Sequence, residues 1–293
     1  MHISIILLVD LYLMRRLTLT IVVLFFSVMG YAQGFCIPVH SLHADSLAFA
    51  AGEKMYFSMH YEWGAINSDV GTAEVSLRNV RYNGTPAFHC HVRGRTTRLY
   101  DLFFKVREDF QSWFSADGLH PLKFTRDTEE GKYIAKNTYI YSPRDTVIFA
   151  DVYSTSGGSK SLTLPLDRCT FDLPALFYFA RNMDMSSVVP ELRYPMTFAI
   201  DDDVYNVHFI MHGKETVKVK GLGVVRTIRF SARLLAGEIF KGDTDMTIWI
   251  SDDENRLPVL FEAPILVGKA SGRMRNFSGL KHPFTSLIRD DRK

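Results

Sequence analysis

The chain has 293 residues, of which 47% are hydrophobic and 23% charged, a globular composition that excludes a disordered chain. A formal net charge of +2 removes the electrostatic case for a nucleic-acid partner or a polybasic membrane contact. Aromatic residues make up 13%, led by 22 Phe and 13 Tyr, and such side chains pack well on pleated sheets.

In chain order, the first element is not part of the fold. Met14-Arg15-Arg16 leads into the apolar run Leu17 to Met29, and Gly30-Tyr31-Ala32 follows. A basic start, a short apolar middle and a small-residue end predict a secretory signal cleaved near Ala32/Gln33. Residues 1–32 then form an N-terminal extension plus signal peptide, with Met14 the better start. The run is shorter than the roughly 20 residues a span needs, so no transmembrane span is expected in the mature chain. Residues 33–293 are predicted to form a single β-rich domain, periplasmic or otherwise exported. Bulky Phe35 argues against lipidation at Cys36. Cys36, Cys90 and Cys169 allow at most one disulfide, and which two pair stays open.

From Met55 onward strand signals dominate. In MYFSMHYEW, Met55, Phe57, Met59, Tyr61 and Trp63 share one face and Tyr56, Ser58, His60 and Glu62 the other. Asn67 to Gly71 reads as the turn into a second strand. Asn83-Gly84 predicts a hairpin, because both residues tolerate positive φ. Arg98 to Val106 reads as a short helical segment. Further turns are expected at Asp117-Gly118, at Glu130-Gly131, in TSGGSKS, at Asp201–Asp203 and around Gly221 and Gly223. A spacing of roughly 8–12 residues is the rhythm of an antiparallel all-β fold. One main helix is predicted near residues 173–184, with Asp172 as N-cap and Pro174 where its missing N–H costs little. The fold class is all-β with minor α: a large curved antiparallel sheet or open barrel with this central helix.

The acidic stretch WISDDENRLPVLFE, Trp249 to Glu262, reads as two strands joined by the turn SDDEN. A calcium loop would need alternating oxygen ligands and a Gly at its sixth position. Pro258 fits the start of an edge strand. In a strand, His89 and His91 share a face and could ligate a metal, with His60 or His208 as a third ligand. The simpler reading puts Phe88, Cys90 and Val92 in the core and His89, His91 and Arg93 toward solvent. SGGSKS lacks the glycines of a phosphate loop, GxSxG and HExxH do not occur, and Ser278 to Lys281 matches SxxK without its partner motifs. No catalytic residue and no cofactor is predicted. Leu176, Phe177 and Phe179 read either as core or as the lining of a lipophilic cavity, and Phe103 and Phe104 carry the same two readings.

AGEKMYFSMHYEWGAINSDVGTAEV, FQSWFSADGLHPLKF, DLPALFYFAR and TIWISDDENRLPVLFEAPILVGKASGRM follow one another in this order. In them the chain resembles the bacterial exported-protein family catalogued as domain of unknown function 3108, over about residues 48–280. The resemblance implies an exported protein of this fold class and brings no established activity. The last hairpin, with Trp249, Asp252, Leu257, Pro258 and Gly268, is also similar to a pattern in periplasmic lipoprotein carriers, whose curved sheets close over a hydrophobic hollow. That likeness implies a lipid or acyl-chain ligand. The expected function is non-catalytic binding of a lipophilic ligand or an envelope protein, without nucleic acid. The alternative is a glycan-directed hydrolase or lyase with carboxylates facing each other across a cleft. A third reading adds a partner's strand to a sheet edge.

Overall fold

The computed structural model describes residues 36–291 apart from 44, 65, 234–244 and 266. The expected export signal lies outside the described residues. A first meander runs through β1 (Lys54–Trp63), β2 (Ile66–Tyr82), β3 (Thr85–Thr96), β4 (Val106–Ser115), β5 (Pro121–Glu130), β6 (Tyr133–Ser142), β7 (Val147–Ser154) and β8 (Gly158–Pro165). A second runs through β10 (Arg193–Ile200), β11 (Asp203–Val219), β12 (Gly223–Arg233), β13 (Asp245–Ser251), β14 (Pro258–Pro264) and β15 (Lys269–Ser278). β1 pairs antiparallel with β15, which joins the two meanders into one sheet. The short β9 (Thr170–Phe171) pairs parallel with β10, and β16 (Leu287–Asp290) lies against β12, so the sheet is mixed. The helices are α1 (Arg98–Asp101) and α2 (Leu173–Ala180). None is long and apolar enough to cross a membrane among the described residues.

Alternation along the strands sets an inner face, packed on α2, and an outer face. Met55, Phe57, Leu77, Phe88, Cys90 and Phe114 all point inward into one buried cluster. α2 fills the hollow of the sheet: Leu176, Tyr178 and Phe179 pack among Phe49, Phe114 and Phe171. A second cluster, with Phe124, Tyr139, Ile148 and Ala199, lies under the tip of the β10–β11 hairpin. That tip is clasped by side chains of the first meander. Arg126 meets the Asp201 carboxylate at 2.6 Å, Lys160 meets Asp202 at 2.6 Å, and the Tyr139 hydroxyl donates to the Asp201 carbonyl.

Asn83 and Gly84 both take positive φ and close the β2–β3 hairpin as the sequence suggests. The first turn falls earlier than expected. The chain turns at Gly64, Trp63 pairs with Ile66, and Asn67 to Asp69 run as strand against Glu62 to His60. Pairing satisfies the backbone of these polar residues, and an irregularity between Met59 and His60 keeps the face pattern in phase. SDDEN forms the expected turn, but β14 lies between β13 and β15 and is not an edge. Pro258 is tolerated there as the first residue of the strand. The main helix stops at Ala180 instead of running to 184, because Met183 leaves it to bridge Val39.

The N-cap of α2 is buried. Both the Ala175 N–H and the Ser112 hydroxyl donate to the Asp172 carboxylate at 2.8 Å. Burial pushes this carboxyl up to about 7, against the opposing pull of those two donors. The folded value lies above the unfolded one, near 3.9. Its contribution to stability is therefore full below about pH 4 and is lost as pH rises through 7. Asp172→Asn keeps a capping carbonyl and removes the titration. Between pH 5 and pH 8 the wild type should lose roughly 2–3 kcal/mol that the variant keeps. Urea unfolding at the two pH values checks this, and equal losses in both proteins would contradict it.

Candidate functional site

The five apolar candidates do not come together. Leu176 and Phe179 are buried in the central cluster, where they fill the hollow instead of lining a cavity. Phe177 is half-buried, with its ring 5.0 Å from Tyr178 and 5.7 Å from the Arg181 guanidinium. Phe103 and Phe104 lie on the segment that follows α1, and both are exposed.

Topology gives that exposure its context. One rim of the sheet carries the β1–β2 turn, α1 with its following segment, the β5–β6 turn and the β14–β15 turn. Along it stand Trp63, Ile66, Leu99, Leu102, Phe103, Phe104 and Val267, all among the exposed large hydrophobic side chains, with Leu102 and Phe103 each 80% exposed. These positions fall into two groups, one at the tips of β1–β2 and β14–β15 and one around α1 and the β5–β6 turn. The Tyr61 hydroxyl donates to the Val267 carbonyl, and a Cβ at Gly268 would come within 2.8 Å of the Trp63 Cβ. The Thr97 N–H donates to the Val70 carbonyl, which ties α1 to β2, and the Phe104 ring covers Gly131 of the β5–β6 turn. At the opposite rim the corresponding residue, Leu119 between β4 and β5, is buried. Large apolar side chains gathered at one edge and left exposed are a mark of interaction surfaces.

The outer face of β2 to β8 is mainly polar, with Ile140, Phe149 and Tyr153 exposed on β6 and β7, and it holds the two histidines. Cross-strand pairing lines up Arg78, His89 and Trp113 in one row and Ser76, His91 and Gln111 in the next. Arg78 Nε donates to His89 Nδ1 at 2.9 Å, so the proton of the neutral ring sits on Nε2, which donates to Gln111 Oε1 at 3.1 Å. Gln111 Nε2 donates to Asp109 Oδ1, and His91 Nε2 lies 2.7 Å from Asp109 Oδ2. Burial, with Arg78 beside it, holds His89 down to about 4 and therefore neutral at pH 7. His89 also stacks on Trp113 with ring centroids 4.4 Å apart. Phe88 and Cys90 are in the core, as the simpler strand reading has it, but His89, which that reading turns to solvent, is buried beneath Trp113, Arg78 and Gln111.

Among the described residues no third ligand approaches the two histidines. His60 sits six residues along β1 from Lys54, the β1 residue in the His91 row, about 20 Å away at strand rise. There it pairs with Asp69 at 2.8 Å. His208 is on β11, with six strands between it and β3 in the sheet order. Among the described residues no three His, Cys, Asp or Glu side chains come together as a metal ion would need.

Two open clefts adjoin this network and share Gln111. One, of about 660 Å³, lies over β1 to β4 and includes Lys54, Asn79, His89 and His91. The other, of about 780 Å³, runs over β4 to β8 and includes Asp109, Thr125, Lys136, Asp151 and Tyr153. A carboxyl pair of another kind lies on the inner face near the apolar rim. Burial pushes Glu108 up to about 8, with Glu130 adding to the rise and the Thr128 hydroxyl, 2.6 Å away, opposing it. Glu108 and Glu130 stand side by side on neighbouring strands and do not face each other across a cleft.

The model of the family described as proteins of unknown function, DUF3108, matches residues 56–275. The chain belongs to this family. No curated protein matches its sequence. Among solved structures, the fold is similar to that of a β-barrel-like protein of domain of unknown function DUF1849 from Brucella abortus. The likeness has a TM-score of 0.52 at 9% identity, covering 78% of this chain and 98% of that one. At that identity it is a likeness of fold, and it agrees with a DUF3108 chain built as one large curved sheet.

For this DUF3108 chain the sequence points to Phe103, Phe104, His89 and His91 but not to their neighbours. Leu99, Leu102 and Trp63 join the rim only through turn positions. Asp109, Gln111, Asp151 and Tyr153 are visible as the polar side of alternating strands, but their assembly into clefts depends on register across five strands.

Proposed function

We propose that this DUF3108 chain is an exported, non-catalytic cell-envelope protein that docks on a lipid surface through its apolar rim. The observation that carries this reading is the concentration of exposed Trp63, Leu99, Leu102, Phe103 and Phe104 along one rim of the sheet, with Leu102 and Phe103 the most exposed of the large hydrophobic side chains. Fully burying a Leu or Phe side chain is worth about 1.5–3 kcal/mol, so a few such side chains dipped into the interface hold a protein against it. Trp favours the headgroup level. Lys105 beside the patch is matched by Glu129 at 2.9 Å, and Arg107 is matched by Asp101. The contact is mainly apolar and shallow, an interfacial attachment without a span, with the exposed Arg98 of α1 and Lys132 of the β5–β6 turn beside it. Lipophilic contact moves from the filled hollow to the rim.

Export is supported by the signal-like N-terminal sequence and by the disulfide between Cys36 and Cys169, a bond that persists in oxidising compartments. The test is co-sedimentation of the chain from Gln33 with vesicles of phosphatidylethanolamine and phosphatidylglycerol. Leu102→Ser with Phe103→Ser should weaken partitioning at least about tenfold, the effect of losing about 1.4 kcal/mol, with an unchanged melting temperature. Absence of wild-type binding, or equal binding by the folded variant, would falsify the rim reading.

A further inference from the structure

We infer that the outer face of β4 to β8 is a binding site for a neutral glycan strand. The cleft there has about 780 Å³, within the range of ligand sites. Five strands at a spacing of ~4.8 Å make it about 19 Å long, the shape of a trough across the strands. This site is separate from the apolar rim and goes beyond membrane docking.

Its chemistry is that of polyhydroxyl recognition. On β7, Asp151 and Tyr153 line the trough at alternate positions of the outer face, and Phe149 follows just beyond its lining, so a carboxylate stands between two aromatic rings, each about 7 Å along the strand. Both rings are exposed. A sugar ring offers a C–H face that packs on an aromatic ring and an edge of hydroxyls that donate to a carboxylate. The next strands continue the pattern with hydroxyl groups: Thr138 and Thr125 lie in the Asp151 row on one side, and Ser161 on the other donates to Asp151 at 2.6 Å.

The acidic side of the trough carries a second mark. Asp109 and Asp127 are directly opposite each other on β4 and β5. Like charges in that position destabilise a sheet. Asp109 is held by His91 and Gln111, and Asp127 has Lys136 at 3.4 Å. The pair remains open to solvent as two acceptors side by side, which suits hydroxyl donors. The lining carries Asp109, Asp127 and Asp151 against Arg126, Lys136 and Lys160; Arg126 and Lys160 are already paired with Asp201 and Asp202, so the remaining charge is negative, which disfavours uronate chains and favours uncharged ones.

The test uses the mature chain from Gln33 with chitotetraose and cellotetraose, followed by isothermal titration calorimetry and by ligand-observed NMR. Saturable binding of at least one probe is expected. Tyr153→Ala and Asp151→Asn should each weaken it at least tenfold with unchanged melting temperatures. Leu102→Ser with Phe103→Ser should leave it unaltered. The proposal is overturned if neither probe binds the folded wild type, or if binding survives in both trough variants. A tetramer of galacturonic acid binding more tightly than the neutral probes would overturn it as well.

Discussion

Replacing Arg181 with alanine is expected to cost roughly 3–5 kcal/mol, the range for breaking a buried ion pair from one side. Arg181 follows α2 directly and turns into the core, where it and Glu53 are both almost fully buried. The guanidinium holds the Glu53 carboxylate through both terminal nitrogens, at 2.5 and 2.8 Å. Its Nε donates to the Asn255 carbonyl, and the rings of Phe49, Phe177 and Tyr178 surround its charge at 5.3–5.7 Å. Among the described residues, removing the cation leaves a buried carboxylate with the Tyr178 hydroxyl as its one side-chain donor. The double variant Glu53→Gln with Arg181→Met removes both charges at similar volume and should recover most of the loss, because an uncompensated buried charge is the chief cost. Chemical denaturation of the three proteins decides the point. A double variant as unstable as Arg181→Ala would show that packing, not charge pairing, dominates.

The second large effect is expected from the disulfide. Cys36 and Cys169 are 133 positions apart, so their bond restricts the unfolded chain over nearly half its length. Chain-entropy arguments put the loss on Cys36→Ser with Cys169→Ser at roughly 3–5 kcal/mol. The bond also holds the segment that runs beside Asn182 to Asp184, where the His40 N–H donates to the Asn182 carbonyl and the Asp184 N–H to the Pro38 carbonyl. Urea unfolding of wild type under oxidising and reducing conditions should give two midpoints, with the reduced one matching the double variant. One midpoint under both conditions would contradict the prediction. Cys90 should contribute nothing to the difference: it is fully buried, and burial pushes its thiol well up, so it stays protonated.

The network around Arg181 also explains the acidic stretch at 252–254. Asp253 accepts from the Ser251 hydroxyl and from the Asn255 and Ser286 N–H groups, and the Asn255 side chain donates to the carbonyls of His282 and Pro283. Arg256 donates to the carbonyls of Arg181 and Met183 just past α2. A cluster that could be mistaken for a metal or catalytic site is a turn that secures the end of the helix. Its residue types made the turn legible, since Asp, Asn and Ser bond to nearby backbone. That it also meets α2 and the 282–286 segment was not legible, because those contacts join positions about 30 and 75 residues apart.

By itself the sequence determined the β class, most of the turns, the capped apolar helix and the two faces of β3. Each rests on local physics: alternation with period two, positive-φ residues at turns, and an Asp-x-Pro start for a helix. Tertiary structure alone decided that β1 closes on β15, that α2 fills the hollow, that Cys36 pairs with Cys169, and that Phe103 belongs to a rim while Phe179 belongs to the core. Both phenylalanines have the same local signature of an apolar residue in a short helical stretch. What separates them is which surface the folded sheet leaves beside them, and that depends on strand order and register, not on neighbours in the chain.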